Sequence, residues 1–166
     1  MSLHGPRVRL VPVAPEHRER LRELRLEPEV RRWWQDPEDD WPAPEPNTVG
    51  YTVMVDGEIA GFAEWYEEPE PMFRHAGVDL FLDPALHGQG LGTEVVRVLC
   101  AHLIDDHGFH RLVIDPEAEN AVAIACYRKV GFQPVGVMRR YSRDRFGVWK
   151  DGLLLDLLAD EFVRGD

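Results

Sequence analysis

Cysteine is scarce in this 166-residue chain, which contains only Cys100 and Cys126. The sequence has no Cys-x-x-Cys pair and no Cys/His spacing of the kind that binds zinc, so it predicts no metal site. Both cysteines lie within helical apolar patterns. We therefore expect two reduced thiols in a reducing compartment.

Long apolar runs and excess positive charge are also missing. No stretch approaches the ~20 apolar residues of a membrane span, and the N-terminal MSLHGPRVRL has no signal-peptide core. Acidic residues outnumber Lys and Arg by 30 to 19, which gives a formal net charge of -11. Such a surface repels nucleic acid and anionic lipid, and it either attracts cations or only keeps the protein soluble. We expect a cytoplasmic protein without nucleic-acid or membrane partners.

The order of predicted elements indicates a mixed α/β (α+β) fold. The length suits one compact domain over residues 1–166. Apolar and alternating patterns predict a central sheet of about seven strands with helices on both faces. The predicted strands are 8–13, 51–55, 58–66, 76–82, 112–114, 132–140 and 153–159. The predicted helices begin at Pro15 and near Val30, and span 93–107 and 118–130. Residues 35–48 and 141–150 are predicted surface loops.

The most informative segment, 78–93, reads VDLFLDPALHGQGLGT. A strand runs into a turn with Gly88, Gly90 and Gly92, and a helix follows at once. Glycines permit close backbone approach, and a helix N-terminus offers free N–H groups to a phosphate. The segment is neither a P-loop, which needs Gly-Lys, nor a dinucleotide fingerprint, because Thr93 stands where the last glycine belongs. Glycines that serve only a tight turn are the alternative.

The turn His87-Gly88-Gln89-Gly90-Leu91-Gly92 resembles the Arg/Gln-x-x-Gly-x-Gly/Ala motif of the GNAT acetyltransferase superfamily, although His87 departs from the usual first residue. The resemblance implies a GNAT fold and acetyl-CoA as cofactor. It implies that N–H groups from Gln89 to Thr93 hold the CoA pyrophosphate and that the preceding strand pairs with pantetheine. The implied cofactor contacts are Leu80, Phe81, Leu82, His87, Gly88, Gln89, Gly90, Leu91, Gly92 and Thr93.

A second segment, 115–132, reads DPEAENAVAIACYRKVGF and resembles the family's D-P-x-x-x-N-x-x-A-x-x-x-Y-x-K-x-G-F motif. The resemblance implies that Asn120 binds the CoA arm and that Tyr127 protonates the departing thiolate. Ala123 and Lys129 occupy matching positions and are implied cofactor contacts. The alternatives are a helix N-terminal role for Asn120 and a half-buried Tyr127 with a wet hydroxyl.

Carboxylates on the central strands are candidates for the base that deprotonates an acceptor amine. They are Asp79, Glu64 and Asp115, and Asp79 lies mid-strand, where aspartate is disfavoured. Asp79 and Asp115 in these contexts resemble the aminoglycoside 6′-N-acetyltransferase branch, as do the segment 65–68 and the acidic loop 33–45. This resemblance implies an aminoglycoside acceptor and predicts substrate contacts at Trp41, Trp65, Glu67, Asp79 and Asp115.

Three alternatives remain open. Residues 137–158 resemble the end of relatives that acetylate protein N-termini or small amines, and hydroxylysine acyltransferases share Asp79 and the second motif. Arg139, Arg140, Arg143 and Arg145 would suit the 3′-phosphate of CoA or a substrate carboxylate. The chain could also be a catalytically silent domain that binds acyl-CoA or a drug. Five tryptophans and an apolar last strand permit either a monomer or a homodimer.

Overall fold

A single eight-stranded sheet organises the computed structural model, which describes residues 1–165. In spatial order it runs β1-β2-β3-β4-β5-β6-β8-β7. Neighbouring strands are antiparallel except β5 and β6, which are parallel. The strands are β1 (Leu3–His4), β2 (Val8–Pro12), β3 (Thr48–Val55), β4 (Glu58–Glu68), β5 (His75–Leu82), β6 (Arg111–Ile114), β7 (Gln133–Arg143) and β8 (Trp149–Leu158).

Four α-helices cover the two faces of the sheet. They are α1 (Arg18–Arg25), α2 (Pro28–Arg31), α3 (Leu91–Ala101) and α4 (Ala121–Val130). Pro15 opens a 3-10 turn before α1, and α3 continues as a π-helix over His102–Asp106. No helix within residues 1–165 combines the length and the apolar character that crossing a bilayer requires.

Two apolar clusters lie on opposite faces of the sheet, because side chains alternate along each strand. The larger joins α3 and α4 to the sheet and includes Ala63 and Trp65 of β4. The smaller joins α1 and α2 to the sheet and includes Phe62 of β4 and Phe81 of β5. Residues on the Phe62 side of β4 therefore face the helices α1 and α2.

The predicted mixed sheet with helices on both faces is confirmed, and the main difference lies in the number and length of strands. The sheet has eight strands rather than about seven, because β1 pairs with β2 although it is only two residues long. The predicted loop 141–150 is also wrong in part. β7 extends to Arg143 and β8 begins at Trp149, so only residues 144–148 turn.

Candidate active site

A gap opens between the parallel strands β5 and β6. The two strands pair only at Ala76 with Leu112 and at Gly77 with Val113. β5 continues to Leu82 and stays paired with β4 along that length, so within residues 1–165 its other edge has no strand partner beyond Gly77. Strands that separate in this way leave room for an extended ligand to lie against β5.

The glycine-rich turn follows directly at the end of this gap. Gly88 and Gly90 have φ of 79° and 77°, which is left-handed backbone that favours glycine. The first helical bond of α3 runs from Glu94 N–H to the Gly90 carbonyl at 3.2 Å. The N–H groups of the first turn are therefore without intrahelical acceptors and can hold a phosphate. The backbone fits the pyrophosphate contacts that the sequence predicts.

Two side chains occupy carbonyl groups of β5 that the sequence analysis had assigned to pantetheine. The Trp34 indole donates from Nε1 to the Leu80 carbonyl at 3.1 Å. The His87 ring lies with Nε2 3.1 Å from the Leu82 carbonyl. His87 therefore contacts the backbone at the end of β5. The part of β5 whose backbone remains available to a cofactor is shorter than the motif alone suggests.

The N-terminus of α4 lies beside the start of α3. Asn120 accepts a hydrogen bond at Oδ1 from Ala123 N–H at 3.3 Å, so it caps α4 while its amide N–H groups stay free to donate. Thr93 Oγ1 lies 3.1 Å from Cys126 Sγ and connects the two helices. The Lys129 carbonyl accepts a hydrogen bond from Arg97 Nη2 at 3.3 Å. The second motif therefore has a structural role in addition to any cofactor contact.

Tyr127 is a buried phenol on α4. It is 7% exposed and its ring packs against Phe132 with centroids 6.4 Å apart. Burial, and then the negative charge of Asp79, raises the pKa of Tyr127 well above its ordinary value. The hydroxyl therefore stays protonated, and within residues 1–165 it makes no hydrogen bond. It is available to donate a proton.

Glu64 and Asp79 are directly opposed on the neighbouring strands β4 and β5. Burial, and then the charge of Glu64, raises the pKa of Asp79 to about 8, although the Leu80 N–H and Arg25 act in the opposite direction. Burial likewise raises the pKa of Glu64. Because the charge of Glu64 opposes ionisation of Asp79, the Asp79 carboxyl holds a proton near neutral pH and can exchange it with a ligand.

Asp115 lies at the end of β6, where two tyrosines approach it. Tyr141 donates a hydrogen bond to Asp115 Oδ2 at 2.5 Å. Burial, followed by the charges of Asp115 and Asp79, raises the pKa of Tyr66 to about 12. The Tyr66 ring crosses over Gly77, where a Cβ would lie 2.1 Å from the ring carbon Cζ. Gly77 is therefore required for Tyr66 to reach the site.

A cavity of about 250 Å³ lies on the side of the sheet that carries α1 and α2, and Glu64 is not among the residues that line it. Asp79 and Asp115 line it, with Trp33 and Trp34 on the wall. Side chains from three separate parts of the chain complete the lining: the end of α1 and the segment after it, the residues after β6, and the β7–β8 turn. An amine that entered this cavity would meet the carboxyl groups.

The loop after α2 forms one wall of this cavity and is fastened to α1. Three arginines, one or two turns apart, donate to its backbone carbonyls rather than to its carboxylates. Arg18 donates to Asp39 and Asp40, Arg22 to Glu38 and Trp41, and Arg25 to Gln35. The attachment of this loop to α1 therefore does not depend on its acidic side chains, and Asp36 adds a separate pair with Arg31 of α2.

Three of the predicted substrate contacts do not line the cavity. Trp41 packs in the smaller apolar cluster, with its ring centroid 5.0 Å from that of Phe62. Trp65 is 6% exposed and lies in the larger cluster on the other face. Glu67 is paired with Arg74 at 3.1 Å. Trp65 and Glu67 differ from Glu64 by odd numbers of residues, so their side chains leave β4 on the opposite face.

Comparison with known proteins agrees with this architecture. Residues 13–132 match the Acetyltransferase (GNAT) family, and the chain belongs to that family. It is 36% identical over 100 residues to aminoglycoside N(6')-acetyltransferase type 1 of Klebsiella pneumoniae, covering 53% of this chain and 49% of the relative. It is 36% identical over 73 residues to the N-alpha-acetyltransferase RimI of Mycobacterium tuberculosis, covering 44% of each chain. The chain thus spans about half the length of the curated relatives it matches.

A solved structure with the same fold is aminoglycoside acetyltransferase AAC(6')-Ib in complex with coenzyme A and kanamycin. The TM-score is 0.78 at 24% identity, over 93% of this chain and 96% of the other. The predicted family and fold are therefore confirmed. The matched family is named for acetyl transfer, and a solved aminoglycoside acetyltransferase AAC(6')-Ib with this fold contains coenzyme A.

Proposed function

We propose that this protein transfers an acetyl group from acetyl-CoA to a primary amine of a small acceptor that binds in the carboxylate-lined cavity. The observation that carries the proposal is Asp79, a partly buried carboxyl with a pKa of about 8 on the strand that precedes the phosphate turn. A base with that pKa matches the proton affinity needed to deprotonate an ammonium near neutral pH.

Asp79 on β5 and Tyr127 on α4 carry out separate proton transfers. Acetyl-CoA supplies the thioester carbonyl. Asp79 takes the proton that the acceptor ammonium loses, and the freed amine forms the new C–N bond as the C–S bond breaks. Tyr127 donates its proton to the departing thiolate, and the second proton that the acceptor nitrogen sheds as the amide forms passes through solvent to restore the phenol. Glu64 increases the proton affinity of Asp79 through its charge and acts as a positioning residue.

An aminoglycoside with its 6′-amino group is the first candidate acceptor. Asp79 and Asp115 both line the cavity, and carboxylates bind polycations through charge-assisted hydrogen bonds. The relative from Klebsiella pneumoniae is named for this reaction. Antibiotic resistance would follow from this acceptor.

A second candidate is a protein N-terminus or a lysine-type amine, as in hydroxylysine-acylating relatives. Arginines line the same cavity as the carboxylates, which suits an acceptor that carries a negative group as well as an amine. The match to RimI of Mycobacterium tuberculosis supports this candidate. An aminoglycoside would bind to the carboxylates alone, whereas an acceptor of the second kind would bind to both the carboxylates and the arginines.

Thiol release from acetyl-CoA, measured with a panel of aminoglycosides, polyamines, lysine derivatives and N-terminal peptides, tests the proposal. We expect release that depends on the acceptor and that falls at least ~100-fold in Asp79→Asn, since general-base catalysis contributes about that much. The exposed Asp160→Asn is the matched control. Acetyl-CoA binding without release for any acceptor would refute the proposal and favour a silent binding domain.

Three further points stay predictions from the sequence. They are a cytoplasmic location, action as a monomer or homodimer, and the absence of nucleic-acid and membrane partners.

A further inference from the structure

Arginine is concentrated around the acceptor cavity. Five of the 19 basic Lys and Arg residues line it, although the chain as a whole carries a net charge of -11. They come from α1, α2, the residue after α2, the last residue of β7 and the β7–β8 turn: Arg25, Arg31, Arg32, Arg143 and Arg145. A cavity built only for a polycation gains nothing from this positive charge, because like charges oppose binding.

Most of these arginines are not neutralised by the protein. Arg31 is paired with Asp36, at 2.5 and 2.7 Å. Within residues 1–165 the other four take part in no ion pair. Carboxylates are plentiful in this chain, so the lack of partners here leaves positive charge available to a ligand.

Aromatic rings hold the unpaired guanidinium groups instead. Arg32 lies over Trp33 at 4.5 Å, Arg143 over Trp149 at 5.5 Å and Arg145 over Phe146 at 4.9 Å, each measured to the ring centroid. A guanidinium that stacks on a ring keeps the N–H groups along its edge free, and these groups match the two oxygens of a carboxylate or phosphate.

Three of the arginines are more exposed than the four carboxyls that line the cavity, which are Asp79, Asp115, Glu117 and Asp144. Asp79 is partly buried on β5, whereas Arg32, Arg143 and Arg145 are exposed residues. The segment after α2 and the β7–β8 hairpin meet at this outer level, where Gln35 Nε2 donates to the Arg143 carbonyl at 3.4 Å. An acceptor could therefore reach the carboxyls with its amine and the arginines with its other end.

These arginines are separate from the cofactor's phosphate site. None of the residues from Gly88 to Thr93 lines this cavity. The backbone N–H groups at the start of α3 are the anion site on the cofactor side.

We propose that Arg32, Arg143 and Arg145 form an anion-binding subsite at the mouth of the acceptor cavity. The acceptor is then an amphoteric molecule that presents its amine to Asp79 and a carboxylate or phosphate to the arginines. This inference rests on the proposed function and narrows its acceptor class.

Matched acceptor pairs test the subsite. Lysine is compared with cadaverine, which lacks only the carboxylate, and phosphoethanolamine with ethanolamine, which lacks the phosphate. The first pair measures recognition of a carboxylate and the second that of a phosphate. In the wild type we expect at least one anionic member to exceed its partner about 10-fold or more in kcat/KM, and to exceed kanamycin as well.

The variant Arg143→Gln/Arg145→Gln completes the experiment, with the exposed Arg139→Gln on the same hairpin as control. The double variant should raise KM for the anionic acceptor about 10-fold, with little change in kcat and no such rise for the partner that lacks the anionic group. Arg139→Gln should behave as wild type. Circular dichroism of each variant confirms that the hairpin is folded.

Three results would overturn the inference. The first is a preference for kanamycin or cadaverine that the double variant leaves unchanged. The second is a rise in KM for acetyl-CoA, which would assign the arginines to the cofactor. If no acceptor releases thiol, the proposed function fails instead, and calorimetric titration of lysine and phosphoethanolamine into wild type and double variant then decides the subsite. Equal or absent binding in the two proteins would overturn it.

Discussion

Replacing Asp79 by asparagine should make the protein more stable, and the gain should grow with pH. Burial and the opposing Glu64 raise the pKa of Asp79 to about 8, so the folded chain binds this proton more tightly than the unfolded chain does. Wild-type stability therefore falls as pH rises from about 4 to about 8, and is constant above that range. Asparagine keeps the shape and the acceptor for the Leu80 N–H, and it carries no charge to lose.

The magnitude follows from the two pKa values of Asp79. Its ordinary value is 3.8 and its folded value about 8. The difference of roughly four pH units, at about 1.36 kcal/mol each, gives an upper limit of ~5 kcal/mol for the ionised form. Asp79 keeps some contact with solvent and Arg25 can adjust, so we expect about half of that, ~2–3 kcal/mol above pH 8. At pH 5, about one unit above the ordinary pKa, roughly a quarter of this difference should already be present.

Thermal unfolding of wild type and Asp79→Asn at pH 5 and pH 9 measures this difference. A gain of ~2–3 kcal/mol corresponds to about 5–10 °C in a chain of this size. The control is Asp160→Asn, which removes the charge of an exposed aspartate and should shift the melting temperature equally at both pH values. A melting temperature for Asp79→Asn equal to wild type at pH 9, or a gain already complete at pH 5, would refute the reasoning.

Three further predictions concern activity and packing. Wild-type kcat/KM should rise with pH up to about 8 as Asp79 loses its proton, and a pH–rate profile of Asp79→Asn should lack this rise; an identical profile would exclude Asp79 as the base. Tyr127→Phe should lower kcat by about 100-fold and leave the Kd for acetyl-CoA unchanged, as measured by single-turnover kinetics and calorimetry; a change confined to Kd would contradict the proton-donor role. Gly61→Ala should destabilise the protein by about 1–3 kcal/mol in urea unfolding, because its Cβ would lie 2.2 Å from the Phe81 carbonyl oxygen. Gly136→Ala, with no atom within 4 Å of the new Cβ, is its control, and equal losses in both would show that the contact is not responsible.

The strands that carry the chemistry could be predicted from the sequence because their signals are local. Asp79 within an apolar strand, followed by three glycines, gives the position of the base candidate and of the phosphate turn. The prediction of substrate contacts did not take into account that successive side chains of β4 point to opposite faces of the sheet. It places Glu64 and Tyr66 on one face, so Tyr66 could have been found from the sequence, and Trp65 and Glu67 could have been left out.

The remainder of the site depends on contacts between distant segments. Trp34 reaches the Leu80 carbonyl across 46 positions, and no local pattern indicates that pairing. The boundary between β7 and the turn that follows it was also predicted wrongly, because it too depends on pairing between strands. The pairing of β7 with β8 shifts between Met138 and Ser142, and Arg140 has a φ of 48° in that interval. Tyr141 leaves this bulge to reach Asp115, and the sequence there has no glycine to reveal it.

The arginines of α1 hold the loop after α2 through its backbone, so this attachment does not depend on which side chains the loop carries. Arg18, Arg22 and Arg25 hold backbone carbonyls, and every amino acid supplies a carbonyl. The exposed side chains of the loop can therefore be exchanged without releasing it from the helix. In evolutionary terms, selection at Gln35, which lines the cavity, can explore new acceptors through single substitutions while the scaffold beneath stays unchanged. A library confined to the exposed positions 35, 38, 39 and 40 should accordingly retain folded proteins at a high rate.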